Sequence, residues 1–210
     1  GTGGRMGKLP GEPSDEDKAK NVELVFKLVD RLPEPRRTKV KTLLEGQFGE
    51  YYFTAPASSR EEFHSCYPGG LVVHSLNVIA NLRKVAMALC PGRYGDPTLI
   101  FVGLFHDLGK AGDGRVERYL PNPSEWHRSK GMLYEVNKDC SYAPTAELGL
   151  YVLQKNGIEM DFEEWAAIRL NDGQYDENNR GYRMKEPDLA LLLHFADLWS
   201  TVREKPLAGA

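Results

Sequence analysis

Cysteine is scarce in this chain of 210 residues. Its three thiols, Cys66, Cys90 and Cys140, are scattered and odd in number, and no CxxC pair occurs. That pattern excludes a disulfide framework and predicts reduced thiols in a cytoplasmic protein. Long apolar runs are missing as well, so neither a transmembrane span nor the apolar core of a signal peptide is expected. An excess of basic charge is also lacking. Lys and Arg number 27 against 30 Asp and Glu, for a formal net charge of −3, which argues against a general nucleic-acid coat or a binder of anionic membranes. The densest basic cluster, "RRTKVK" from Arg36 to Lys41, reads first as a solvated helix face, with a small local basic patch as the alternative.

What is present is helical periodicity. The opening "GTGGRMGKLPGEP" is rich in Gly and Pro, so residues 1–13 are expected to be a disordered segment or the remnant of a tag. In "SDEDKAKNVELVFKLVDRL", Ser14 stands where a cap should be, acids fill the first turn, and Val22, Val25, Val29 and Leu32 share a face. A second helix is expected over "PRRTKVKTLLEGQF". After the irregular "TAPASSREEFHSCYPGG" comes a long helix, "LVVHSLNVIANLRKVAMAL", ended by "CPG". Asp96 and Pro97 are expected to cap and open the next helix. Residues 111–123 read as a loop, and "EWHRSKGMLYEVN" as either a short hairpin or an extended excursion. Helices resume at "PTAELGLYVLQKNG", between Pro144 and Gly157. They continue at "DFEEWAAIRLND", where Asp161 and Glu164 form a capping-box pattern. After the polar stretch "GQYDENNRGYRMKE" follows a last helix, "PDLALLLHFADLWSTVREK". With no internal repeat, residues 14–210 are expected to form a single all-α domain.

Polar side chains interrupt this apolar pattern at three places. "LFHDLGK" puts His106 beside Asp107 at the end of an apolar run. His74 has Val78 and Leu82 at i+4 and i+8, so it belongs to the apolar face of its helix. Asp197 follows Leu193 by one turn on the last helix. Two buried carboxylates cost free energy and repel each other unless a charge compensates them. A divalent cation removes both penalties, and imidazole with carboxylate is a ligand set suited to Zn, Mn, Fe, Ni or Co. Helical bundles build such sites from inward side chains on facing helices.

The blocks "GGLVVHSLNV", "LFHDLGK" and "HFADLWST" resemble the three sequence blocks of the HD-domain superfamily of metal-dependent phosphohydrolases. Their order, H…HD…D, is matched by His74, His106–Asp107 and Asp197, and the resemblance runs from about Thr54 to Arg203. "FTAPASSREEFHSCYPGG" resembles the approach seen in HD proteins of phages and bacteria and in HD exoribonucleases, where a Gly-Gly pair precedes the first metal histidine. His64 lies in that approach. The resemblance implies an all-α bundle of the HD type with a metal site in its core. It also implies a substrate bearing a phosphate ester, most often a nucleotide or a nucleic-acid end. Two-metal members carry further histidines between the HD pair and the last Asp, whereas this chain has only His127 and His194 there. "LNDGQYDE" offers Asn171 and Asp172 where another histidine would be sought. One ion is therefore expected, a second (Mg among the candidates) being the less expected arrangement.

The resemblance thus implies His74, His106, Asp107 and Asp197 as metal ligands. Asp107 would also orient a metal-acidified water, and Lys110 would bind phosphate as a point charge. His194 is expected to support the site rather than ligate. His64, His127, Arg128, Lys130, Arg180 and Arg183 are candidates for substrate contact; for His64 and His127 ordinary surface placement is an equal alternative. The first expectation is a phosphohydrolase acting on a small nucleotide, of nucleotidase or nucleoside-triphosphatase type. The second is a phosphodiesterase or 3′–5′ exonuclease acting on oligonucleotides or cyclic nucleotides. A third is a non-catalytic nucleotide-binding or regulatory module with a structural metal. A membrane partner is not expected, and the pattern specifies no oligomeric state.

Overall fold

The computed structural model describes residues 9–206. The segment expected to be disordered lies partly outside them. Its residues 9–13 form a turn, in which the Leu9 N–H donates to Glu12 at 2.9 Å and Lys18 pairs with the same carboxylate. Helix α1 (Asp15–Val29) starts as expected: the Ser14 hydroxyl accepts from the Asp17 N–H, and three acids face the positive end of the helix dipole.

The single helix expected next is two, α2 (Arg36–Glu45) and α3 (Gln47–Thr54). Gly46 stands between them with an extended ψ of −174°. A weak helix former at that point lets the chain turn, so that Phe48 and Tyr52 of α3 enter the core. The Tyr52 hydroxyl donates to Leu104 O at 2.8 Å.

Helix α4 (Gly70–Leu89) is central; α1, α3, α5 (Asp96–Phe105) and α9 (Asp188–Glu204) all pack on it. Asp96 does not cap α5, which begins after Gly95. Its carboxylate is taken instead by Arg83, at 2.8 and 2.9 Å, and by Arg31, at 2.7 Å. A 3₁₀ turn, Leu108–Ala111, follows α5. The region after it is more regular than the sequence predicts. Strand β1 (Tyr119–Pro121), inside the expected loop, pairs antiparallel with β2 (Tyr134–Val136), with the short helix α6 (Glu125–Ser129) between them. The segment 125–137 is therefore neither a short hairpin in itself nor an extended excursion: it holds a helix and one strand, whose partner lies upstream in the expected loop.

Helices α7 (Thr145–Lys155) and α8 (Phe162–Arg169) complete the bundle, α8 with both bonds of the Asp161–Glu164 capping box. The polar stretch before α9 folds into two 3₁₀ turns, Gly173–Tyr175 and Glu177–Tyr182. The architecture is a single-domain, all-α bundle with one two-stranded ribbon among the described residues. No helix among them is long and apolar enough to cross a membrane.

The "RRTKVK" cluster is neither a plain solvated face nor a basic patch open to anions. Arg36 forks onto Glu164 at 2.6 and 2.9 Å and lies over the Phe101 ring. Arg37 pairs with Glu34, Lys41 with Asp30, and Lys39 donates to Gly157 O. Arg36 joins α2 to Glu164 of α8, and Lys41 and Lys39 tie α2 to the segments that follow α1 and α7, while the Arg37 pair is local.

Candidate metal centre

Three segments bring the predicted ligands together. His74 projects from the second turn of α4, His106 and Asp107 follow the end of α5, and Asp197 projects from α9. The start of α4 is set by the Gly69–Gly70 pair. Gly69 adopts a left-handed φ of +86°, and a Cβ on Gly70 would lie 1.9 Å from Ser65 O. Only glycine lets the 59–68 segment fold back this closely over the first turn of α4, which brings His64 against His74 with ring centroids 4.7 Å apart.

His74, His106, Asp107 and Asp197 are all buried, and one ligand atom from each lies within 4.8 Å of the others. His74 Nε2 is 3.1 Å from His106 Nε2, 3.0 Å from Asp197 Oδ1 and 3.5 Å from Asp107 Oδ2. His106 Nε2 is 3.4 Å from Asp107 Oδ2 and 3.6 Å from Asp197 Oδ1.

The outer ring nitrogens decide which way the lone pairs point. His106 Nδ1 lies 2.9 Å from Gly103 O, which can only accept, so Nδ1 carries the proton. His74 Nδ1 lies 2.7 Å from the Glu204 carboxylate, so it too is the donor. In the neutral tautomers both Nε2 atoms are then bare acceptors facing each other and two carboxylates. Lys110 and Thr201 donate to those carboxylates at 3.0 and 3.3 Å, but no donor reaches either Nε2. Only positive charge relieves such a knot. Charge counting agrees: Asp107, Asp197 and Glu204 against Lys110 leave two negative charges. Two nitrogens each about 2.1 Å from a shared ion lie about 3 Å apart when they subtend a right angle at it, as found. The group can hold a metal ion.

The electrostatics carry the same message. Burial alone would lower both imidazoles, but the neighbouring carboxylates outweigh it and hold His74 above the usual range and His106 well above it. Burial alone would raise Asp107, but Lys110 and the two histidines outweigh it and hold it well below the usual carboxylate range. Asp197 is held down in the same way by His106 and His74.

Lys110 sits in the 3₁₀ turn and donates to Asp107 Oδ2 at 3.0 Å and to Ala57 O at 2.7 Å. His64 joins the site through its ring contact with His74. Burial, then the charges of Lys110 and His74, push it down to about 3, and its buried Nε2 has no partner. His194 donates to Asn171 O at 2.8 Å, and Asn171 donates to His106 O at 2.9 Å, so both brace the end of α5. Asp172 and Asp176 share with Asp197 and Thr201 the wall of a surface pocket. Burial, and then the charges of Asp107 and Asp197, push Asp172 up to about 6.

The other candidates lie apart. Arg128 is committed to Asn122 O at 2.7 Å, and Arg180 to Glu177 at 3.1 Å. Lys130 and Arg183 are exposed. His127 faces a pocket shared with Ser59, Arg60 and Tyr134. Among the described residues, none of the five is bonded to the four central side chains. The residue that sequence reasoning missed is Glu204, whose other oxygen accepts from the Ser65 hydroxyl at 3.1 Å. It follows Asp197 by seven residues, two turns along the same face, and that spacing was the available signal.

Compared with known proteins, the chain matches no family model, and neither the curated proteins nor the solved structures contain a match to it.

Proposed function

We propose that the protein is a metal-dependent phosphohydrolase, of the HD type its sequence blocks resemble, acting on a phosphate ester of a small nucleotide. One observation carries the reading. Two imidazoles, each oriented by an acceptor on its far nitrogen, converge with two carboxylates on one buried point where positive charge is missing. Orientation of ligand histidines through the second ring nitrogen is how metal sites fix tautomer and basicity.

His74, His106, Asp107 and Asp197 would hold the ion, with Mn, Co, Ni, Fe and Zn all compatible with the donor set. When bound, such an ion supplies an acidified water and polarises a phosphoryl oxygen. The chain's own residues do the rest. Glu204 and Gly103 O keep both Nε2 lone pairs turned inward. Lys110 has three donors, two of them spent on Asp107 and Ala57 O, and the third is available to a phosphoryl oxygen. Asn171 and His194 hold the end of α5, so that Asp107 keeps its place.

Asp172 and Asp176 make the surface pocket beside Asp197 acidic. That favours a small nucleotide over a nucleic-acid strand, whose binding draws on a positive groove. The exonuclease reading is thereby the weaker one; an acidic pocket does not weigh against a cyclic nucleotide, which the substrate panel below tests directly. The third reading, a metal that only holds α4, α5 and α9 together, predicts binding without turnover.

Turnover of mono-, di- and triphosphates, cyclic nucleotides and short oligomers with each metal, alongside metal analysis, tests the proposal. The expected result is one transition ion per chain and metal-dependent release of phosphate from mononucleotides, both lost in Asp107→Ala. Metal binding with a fold intact and no hydrolysis of any substrate would favour the structural-metal reading. Unchanged metal content in Asp107→Ala would sink the assignment of the site.

A further inference from the structure

Exposed apolar side chains scattered singly over a surface need no explanation. Those on α9 are not scattered. Leu191, Phe195, Leu198, Trp199 and Val202 are 37, 44, 39, 60 and 46% exposed. At the helical period they fall within one sector of about 100°. The opposite side of α9, through Leu189, Leu192, Leu193 and Ala196, is buried where the helix packs on α4 and α8. The helix is therefore apolar on two faces, a pattern that belongs in an interior rather than at a surface.

The ends of the exposed stripe carry opposite charges. Asp188 lies at its upstream end, in line with its centre, and Arg203 and Lys205 flank its downstream end. All three are exposed, Asp188 with Arg93 beside it at 3.3 Å and Arg203 over the Trp199 ring.

We propose that this face docks on the same face of a second copy of the chain, α9 against α9 antiparallel about a two-fold axis. An interface between identical copies must be self-complementary, and most homo-oligomers are two-fold dimers of this kind. The stripe supplies the apolar part. Antiparallel packing sets Asp188 of each copy beside Arg203 and Lys205 of the other, twice by symmetry. Parallel packing would set like charge against like. The charges thus select the register and direction, while the aromatic pair Phe195 and Trp199 supplies the buried anchors. Asp197 projects from the far side of α9, but Leu198 of the stripe also lines the pocket beside Asp197, so the contact braces a helix of the metal centre and borders its pocket. The inference does not depend on the proposed hydrolase activity.

Sedimentation velocity on the full chain across a wide concentration range tests it. The expected result is growth from the 23.6 kDa monomer to twice that mass as concentration rises. Phe195→Glu and Trp199→Glu should each stay monomeric with an unchanged circular dichroism spectrum. Asp188→Lys and the double variant Arg203→Glu/Lys205→Glu should each dimerise more weakly than the parent, and their mixture should dimerise well, because only the mixed pair has opposite charges at both ends. A parent that is monomeric throughout would overturn the proposal. So would a dimer that persists in both glutamate variants, which would place the contact elsewhere, or a charge-variant mixture no better than its components.

Discussion

The outer nitrogen of each central histidine is spent before any ligand arrives, one on Gly103 O and the other on Glu204. The two acceptors differ in what mutation can reach. Gly103 O is backbone and survives any substitution, whereas Glu204 can be changed at a single position. Glu204→Gln removes the charge that makes His74 a better donor while keeping the side-chain length. Metal affinity, read by competition with a chelator, is expected to fall roughly 10- to 100-fold, the usual cost of losing such a support. An unchanged affinity would mean that His74 is oriented by packing alone. The four central residues were legible in the sequence because each is a polar residue on an apolar helix face (His74, Asp197) or at the end of an apolar run (His106, Asp107), a conflict that demands a partner. Glu204 was not, because a glutamate between arginine and lysine near a helix end looks like a solvated charge. Only the fold-back of the 59–68 segment, which brings Ser65 to the same carboxylate, shows that it is held inside.

Among the elements, the 3₁₀ turn Leu108–Ala111 matters most, because it carries the chain from Asp107 to Lys110 and lies against α7. Its close approach depends on Gly109, where a Cβ would fall 2.1 Å from Thr145 O and 3.0 Å from Gly149 N. Backbone cannot move aside cheaply, so Gly109→Ala is expected to destabilise by roughly 3 kcal/mol, at the upper end of overpacking costs. Gly181, in the second 3₁₀ turn of the polar stretch, is the control. Nothing lies within 4 Å of its would-be Cβ, and Gly181→Ala should change stability by less than about 1 kcal/mol, in the stabilising direction. Urea midpoints of the two variants make the comparison; equal midpoints would show that the turn yields more easily than its contacts imply. The "LGK" after the His-Asp pair was legible as a motif. Its reason, the contact of Gly109 with α7, was not, since that helix begins more than thirty residues later and nothing local indicates their meeting.

At the scale of the whole molecule, the two ends of the excursion that carries the ribbon are tied together by Asp113. Its buried carboxylate accepts the backbone N–H groups of Arg115, Val116 and Ser141 at 2.9, 3.0 and 2.9 Å. Burial alone would raise this carboxyl, but the three donors outweigh it and hold it well below the usual range. A carboxyl depressed in the folded state contributes stability that is complete above its unfolded value of about 3.9 and is lost as the pH falls toward the folded value. Thermal melts should therefore show Asp113→Asn destabilised near neutrality by on the order of 2 kcal/mol. The gap to the parent should narrow as the pH drops below about 4. A gap that stays constant with pH would show that the loss is one of shape rather than charge.

The helical class, most of the element order and the four-residue centre were determined by the sequence itself, because they rest on short-range facts: periodicity, caps, and polar residues set on apolar faces. The break at Gly46, the pairing of β1 with β2, the matching of the basic cluster to acids up to 128 residues away and the inward position of Glu204 were decided only by tertiary structure. Each depends on which distant surface arrives opposite. The exposed stripe of α9 belongs to both. Its apolar character is written in the residues, but a helix apolar on two sides reads in sequence as simply buried, and only the fold shows that the described chain leaves one of those sides largely uncovered.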